Sequence, residues 1–250
     1  MTHATHRSTP WLASWMAALA LACAADAVRA ASLAPLKLST HELPPYSTQG
    51  RGRPSGLAVD VVVCAAKRLP LGLELEFVPW ARAQKHAQEG QSDGFFAASQ
   101  SAERDAYATR SVTIAPQEWR WYALRSRPWQ PSHPEFKAQA RVSSFLGANM
   151  QTWLKEQGYR VQSPPTQSTA LLNMLMAGRL DAILANHLVM DQLLAAHPRK
   201  GEVVSHLALD KPLSVYLTHR YLGQQSPDFM DRFNAALTAC MGPTTAASNR

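Results

Sequence analysis

One eight-residue pattern occurs twice in this chain and limits the folds open to it. Gly90-Gln91-Ser92-Asp93-Gly94-Phe95-Phe96-Ala97 is echoed by Gly178-Arg179-Leu180-Asp181-Ala182-Ile183-Leu184-Ala185. Each copy follows a stretch with helical spacing, residues 80–89 in one case and roughly 169–177 in the other. Both read as a helix-ending glycine, an aspartate at a strand mouth and a short buried strand. Two helix–strand units of one build predict two α/β lobes with mainly parallel sheets. In such sheets ligands bind at the carboxyl ends of the strands. Asp93 opens its strand instead, so its expected role is to cap the turn.

The first 30 residues stand apart. His3, His6 and Arg7 make a weakly basic start, and residues 11–22 are apolar except for Ser14. Val28 and Ala30 then supply small residues at −3 and −1 of a cut. That layout predicts a secretory signal peptide over 1–30 and a periplasmic protein. Cleavage after Ala27 is an alternative, and Cys23 after Ala20-Leu21-Ala22 makes a poor lipid-attachment site. The full 250-residue sequence is 46% hydrophobic and 17% charged, which gives the chain the makings of a core. Its net charge, +7 before the cut, favours anions generally. The cations are scattered, which argues against nucleic acid. Two cysteines remain, Cys64 and Cys240, and an oxidising compartment permits a disulfide between them; free buried thiols are the alternative.

Periodicity places strands at 36–39, 73–77 and 119–124 and a helix over 57–69. Pro79 opens the next helix, where a missing N–H costs least. Asn149 reads as the N-cap of a helix carrying Met150, Trp153 and Leu154 on one face. Ser226 and Pro227 begin the last helix, with Phe229, Phe233, Ala236, Leu237 and Cys240 on one stripe and Gly242-Pro243 as the stop. The tail over 245–250 is expected to be flexible.

Little catalytic chemistry is legible. Gly90-Gln91-Ser92-Asp93-Gly94 fits G-x-S-x-G, but a nucleophile elbow runs strand–turn–helix and this segment runs helix–turn–strand. The histidines form no H-x-H or H-E-x-x-H pair and no C-x-x-C occurs, so neither metal nor cofactor is implied. A binding constellation remains. Tyr46 follows two prolines at a loop tip and offers an aromatic face. Ser99, Ser101 and Arg104 follow a buried strand, where hydroxyls and a guanidinium suit a carboxylate. Asn149 adds donors from the second half of the chain.

These residues sit in a series of short motifs: Pro44-Pro45-Tyr46-Ser47, Gly56-Leu57-Ala58-Val59-Asp60, Pro79-Trp80-x-Arg82-Ala83, Ser101-Ala102-Glu103-Arg104 and the two echoed segments. In this order and spacing, from about residue 36 to 242, the chain resembles the family 3 extracellular solute-binding proteins, periplasmic receptors of ABC importers. The resemblance implies two α/β lobes joined by two crossing strands and closing on ligand. It places residues 31–117 with 209–244 in one lobe and 118–208 in the other, so that Cys64 and Cys240 share a lobe. It implies that Arg104 holds a ligand carboxylate, that Tyr46 covers the ligand, and that the monomer delivers a small polar solute to an inner-membrane ABC permease. Trp80 reads as core or as ligand contact.

Two positions depart from the family's amino-acid-binding pattern. Asn186 stands where an aspartate often meets the ligand ammonium, and Ala148 follows Gly147 where threonine is usual. An amide loses the charge-assisted contact, about 1–3 kcal/mol in a buried site. The expected ligand is therefore an organic acid or another small polar, amino-acid-like solute rather than a standard amino acid. The rival readings are a dehydratase-like enzyme using Glu42, Asp60 or His187 as acid or base, and a receptor that presents its ligand to a sensor protein.

Overall fold

The computed structural model describes residues 34–127, 129, 131 and 133–241. The signal segment, Cys23, Gly242-Pro243 and the tail over 245–250 lie outside the described residues. The strands are β1 (Leu36–Thr40), β2 (Leu73–Phe77), β3 (Gly94–Ser99), β4 (Ala108–Ala115), β5 (Glu118–Leu124), β6 (Arg141–Ser143), β7 (Arg160–Val161), β8 (Ala182–Asn186), β9 (Val203–Asp210) and β10 (Leu213–Thr218). The helices are α1 (Leu57–Arg68), α2 (Trp80–Glu89), α3 (Ala102–Asp105), α4 (Pro134–Gln139), α5 (Asn149–Glu156), α6 (Ser168–Met176), α7 (His187–Ala195), α8 (His219–Leu222) and α9 (Phe229–Cys240).

The strands form two sheets, ordered β2-β1-β3-β10-β4 and β7-β6-β8-β5-β9. The chain leaves the first sheet after Ala115, enters the second at Glu118, and returns between Asp210 and Leu213. Each sheet is mixed rather than mainly parallel. The parallel pairs β1–β2, β1–β3, β6–β7 and β6–β8 come from strand–helix–strand units. The antiparallel pairs all involve β10 or β5, the strands that follow the two crossings and so enter their sheets from the opposite end. The central strands β3, β8 and β10 are buried along their whole length, as strands covered on both faces must be.

The echoed segments adopt matching geometry. Gly90 and Gly178 have φ of 79° and 67°, the left-handed conformation in which glycine ends a helix without steric cost. The Asp93 N–H donates to the Lys37 carbonyl at 2.8 Å and its carboxylate accepts the Lys37 N–H at 2.9 Å. Asp181 does the same with Arg141, at 2.8 Å in both directions. Both aspartates thus clip the start of one strand to its parallel neighbour, and Asp93 is the turn-closing residue expected of it. In the second copy the Arg141 guanidinium also donates to Asp181 through Nε and Nη2, each at 3.0 Å. Burial opposes ionisation there, but the hydrogen bonds and charge of Arg141, with Arg127 beyond it, hold the carboxyl below its usual range.

α1 and α9 pack together on the first sheet through Val59, Val62, Phe233 and Leu237, all at most 1% exposed. Cys64 and Cys240 are joined there by a disulfide with Cα atoms 5.9 Å apart. α9 begins at Phe229 rather than at Ser226. The Ser226 carbonyl accepts the Phe229 N–H at 2.9 Å, so Pro227 and Asp228 lie in a turn ahead of the helix. α5 likewise is capped by Ala148, and Asn149 is its first helical residue. Its side chain is committed elsewhere, as described below.

Candidate ligand-binding cleft

The parallel strands end on a common space between the two sheets. His41 follows β1, Ser99 ends β3, Phe145 lies two residues past β6 and Asn186 ends β8. They line an inner cavity of about 60 Å³, which shares His41, Trp80, Phe145, Ser168 and Val189 with an outer chamber of about 890 Å³. Ala97, with φ of 60°, also faces the inner cavity, in a strand whose pairing with β10 shifts register between Ser214 and Val215.

Arg104 is the cation of the inner cavity. Ser101 caps the short helix α3 by accepting the Arg104 N–H at 3.4 Å, which fixes the backbone that projects this side chain. The guanidinium is held on three sides. Nε donates to Gln84 Oε1 at 3.0 Å, Nη1 donates to the Ser99 carbonyl, and Cζ lies 5.2 Å from the centre of the Trp80 ring. Only 2% of the residue is exposed. Among the described residues no carboxylate lies within 4 Å of it. Its neighbour Asp105 accepts from Tyr216 and Gln100 instead. Burial pushes the guanidinium below its ordinary pKa, against the opposing pull of Tyr107, Tyr216, Glu103 and Asp105. Arginine nevertheless stays protonated in proteins, so this is a buried charge held by neutral groups.

The second sheet supplies helix starts to the same space. α5 and α6 begin at the cavity with Asn149 and Ser168, and neither has a side chain capping its free N–H groups. α7 begins beside Asn186, which caps it by accepting the Val189 N–H. Helix N-termini carry partial positive charge and unsatisfied donors, so they add to the attraction that Arg104 exerts on an anion. Asn149 also bridges the sheets: its Nδ2 donates to the Gln100 carbonyl at 3.1 Å and its Oδ1 accepts from Ser99 Oγ at 3.2 Å. Gln84 Nε2 reaches across to the Gly147 carbonyl at 3.3 Å.

The profile of the bacterial extracellular solute-binding proteins, family 3, matches residues 36–242. The chain belongs to that family. No curated protein sequence matches it. Among solved structures it is similar to a histidine kinase sensor domain with similarity to periplasmic binding proteins, at 16% identity and TM-score 0.71 over 83% of this chain and 90% of that one. It is similar to a point mutant of arginine-bound ArgBP from T. maritima, at 15% identity and TM-score 0.67 over 86% of this chain and 98% of that one. The GluR0 ligand-binding core from Nostoc punctiforme, in complex with L-glutamate, matches at 18% identity and TM-score 0.69 over 86% and 96%. These likenesses establish the two-lobed fold.

In this family 3 protein, Trp80, Ser99, Arg104, Asn149 and Asn186 meet at the inner cavity. Tyr46 and Ser101 do not line it. Tyr46 is fully buried in the core of the first sheet, its hydroxyl donating to the Pro116 carbonyl at 2.8 Å. A rigid ring after two prolines suits packing as well as ligand contact, and here the core claims it. Ser101 acts on the site only through the helix it caps.

His41, Gln117 and Phe145 line the cavity without having been singled out by any sequence motif. The place of His41 directly after a parallel strand was the one available signal. His41 is 5% exposed, lies 4.6 Å from the Trp80 ring and 5.9 Å from Phe145, and its Nδ1 has no hydrogen-bond partner among the described residues. Burial, and then the Arg104 charge, lower its pKa to about 3. The folded state therefore refuses a proton that the unfolded chain takes up below about pH 6.5. Stability is lost as pH falls from there toward 3, by up to about 1.4 kcal/mol per pH unit from this group. Chemical denaturation of wild type and His41→Phe at pH 7, 6, 5 and 4 checks this. The wild type should lose stability faster than the variant across the series, and parallel losses would refute the assignment.

Proposed function

We propose that this protein is a periplasmic receptor for a small carboxylate that lacks an α-ammonium group. The observation that carries the reading is the buried, unpaired Arg104 guanidinium facing a cavity with no acidic lining residue. A carboxylate there meets the guanidinium, Ser99, and the open starts of α5 and α6. An α-ammonium bound beside it would meet only neutral groups, Asn186, Asn149, Gln117 and Ser168 among them, and a buried cation without a counter-charge is costly. The exposed Glu42, at the outer chamber, is the acidic residue among those lining either space.

The signal-like segment over 1–30 and the extracellular family support export. Lobes of 31–117 with 209–244 and of 118–208 would close about the crossings at 116–117 and 211–212. We take the acceptor of the ligand to be an inner-membrane ABC permease. A sensor partner is the second reading, favoured by the likeness to a kinase sensor domain. No observation favours an enzyme: Asp60 and His187 line neither space, His187 Nδ1 accepts the Glu118 N–H at 2.9 Å, and Glu42, at the outer chamber, is exposed and accepts the Gln49 N–H at 2.9 Å.

A thermal-shift screen of matched pairs tests the ligand class: lactate against alanine, 2-oxoglutarate against glutamate, 3-phenylpropanoate against phenylalanine. A ligand at 100 times its Kd stabilises by about 2.7 kcal/mol, or roughly 5–10 °C for a domain of this size. The expected result is that the acid of a pair raises Tm and its amino counterpart does not. Stabilisation by the amino acids alone would overturn the reading.

A further inference from the structure

The two spaces of the cleft differ in chemistry, and the difference specifies a shape of ligand. The inner cavity, about 60 Å³, holds the anion-binding groups and has room for little beyond a carboxylate and the atoms next to it. It opens past His41, Trp80 and Phe145 into the outer chamber of about 890 Å³. That chamber presents Phe77, Trp80, Phe145, Leu146, Val189 and Leu193, with no Lys or Arg among its lining residues. Leu146 is 41% exposed there, one of few large apolar side chains left open to water. A ligand made only of a charged head would leave this apolar wall wet, whereas one with an apolar body would remove it from water. Trp80 and Phe145 both lie against His41, and all three line both spaces, where aromatic side chains suit a ring.

Resting on the carboxylate reading above, we infer that the ligand is an elongated monocarboxylate: its carboxylate on Arg104 and its apolar, ring-bearing body running past His41, Trp80 and Phe145 into the outer chamber. The class is that of aryl-alkanoic acids rather than short hydroxy or oxo acids.

Isothermal titration of the mature protein with propanoate and 3-phenylpropanoate tests this, alongside the Leu146→Ser variant. Leu146 is a surface residue, so the substitution leaves the core intact. The phenyl ring should tighten binding about 30-fold or more over propanoate. Leu146→Ser should weaken 3-phenylpropanoate about threefold to fivefold and leave propanoate unchanged. Equal affinity for the two acids would overturn the inference and leave the carboxylate reading standing. A phenyl gain that Leu146→Ser does not touch would place the ring outside this chamber and also overturn it. Binding of neither acid would fail the carboxylate reading and this inference with it.

Discussion

Arg104→Met is expected to abolish binding of the carboxylate ligand while leaving the unliganded protein at least as stable as the wild type. The two effects share one cause. The guanidinium is desolvated without a carboxylate partner, so the empty protein bears the cost of a buried charge that only the ligand relieves. Methionine keeps much of the apolar stem against Trp80 and removes the charge. The variant also leaves the Ser99 carbonyl and Gln84 Oε1 without a donor, a loss that offsets part of the gain. Affinity should fall at least 100-fold, as expected for losing charge-assisted hydrogen bonds in a dry site. Titration calorimetry gives the affinity and thermal unfolding gives the stability. A Met variant that binds normally would remove Arg104 from the site. One that loses several kcal/mol when empty would show that the arginine serves the fold instead.

Removal of the disulfide should act in the opposite way, on stability and not on binding. Cys64 and Cys240 are separated by 176 residues in sequence, and the bond ties α1 to α9 on the outside of the first sheet. Cross-linking so long a segment restricts the unfolded chain strongly. The double variant Cys64→Ala/Cys240→Ala should lose about 2–5 kcal/mol. Tm should fall by roughly 5–15 °C. Neither cysteine lines the cleft, so the Kd for the carboxylate should stay within about twofold. Unfolding scans with and without a thiol reductant check the same point on the wild type. A wild-type Tm indifferent to reductant would mean that the bond contributes nothing.

Much of the frame was legible in the residue pattern because it rests on local chemistry. Gly90 and Gly178 end helices since they alone take a left-handed backbone cheaply, and Asp93 and Asp181 clip strand mouths since their short carboxylates reach a neighbouring N–H. Those requirements are met within a few residues, so they leave a mark in the sequence that can be seen twice. The buried strands and the stripe of α9 are equally local, being periodicities of apolar residues. Arg104 could be picked out because it follows such a strand closely.

The tertiary structure decided which of the marked residues meet. Tyr46 and Trp80 are both large aromatics beside prolines, yet the first is buried in the core with its hydroxyl on the Pro116 carbonyl and the second lines the cleft. Asn149, a cap by its sequence context, spends its amide between the lobes on Ser99 and Gln100. His41 carries no motif at all and becomes a cavity residue because Trp80 and Phe145, 39 and 104 positions away, close over it. The pairing of Cys64 with Cys240 likewise depends on α1 and α9 lying side by side. By itself the sequence determined part of the elements, the aspartate clips of the two echoed segments and the arginine. Which side chains share the cleft is set by long-range packing, because a residue's surroundings there come from segments that no local pattern brings together.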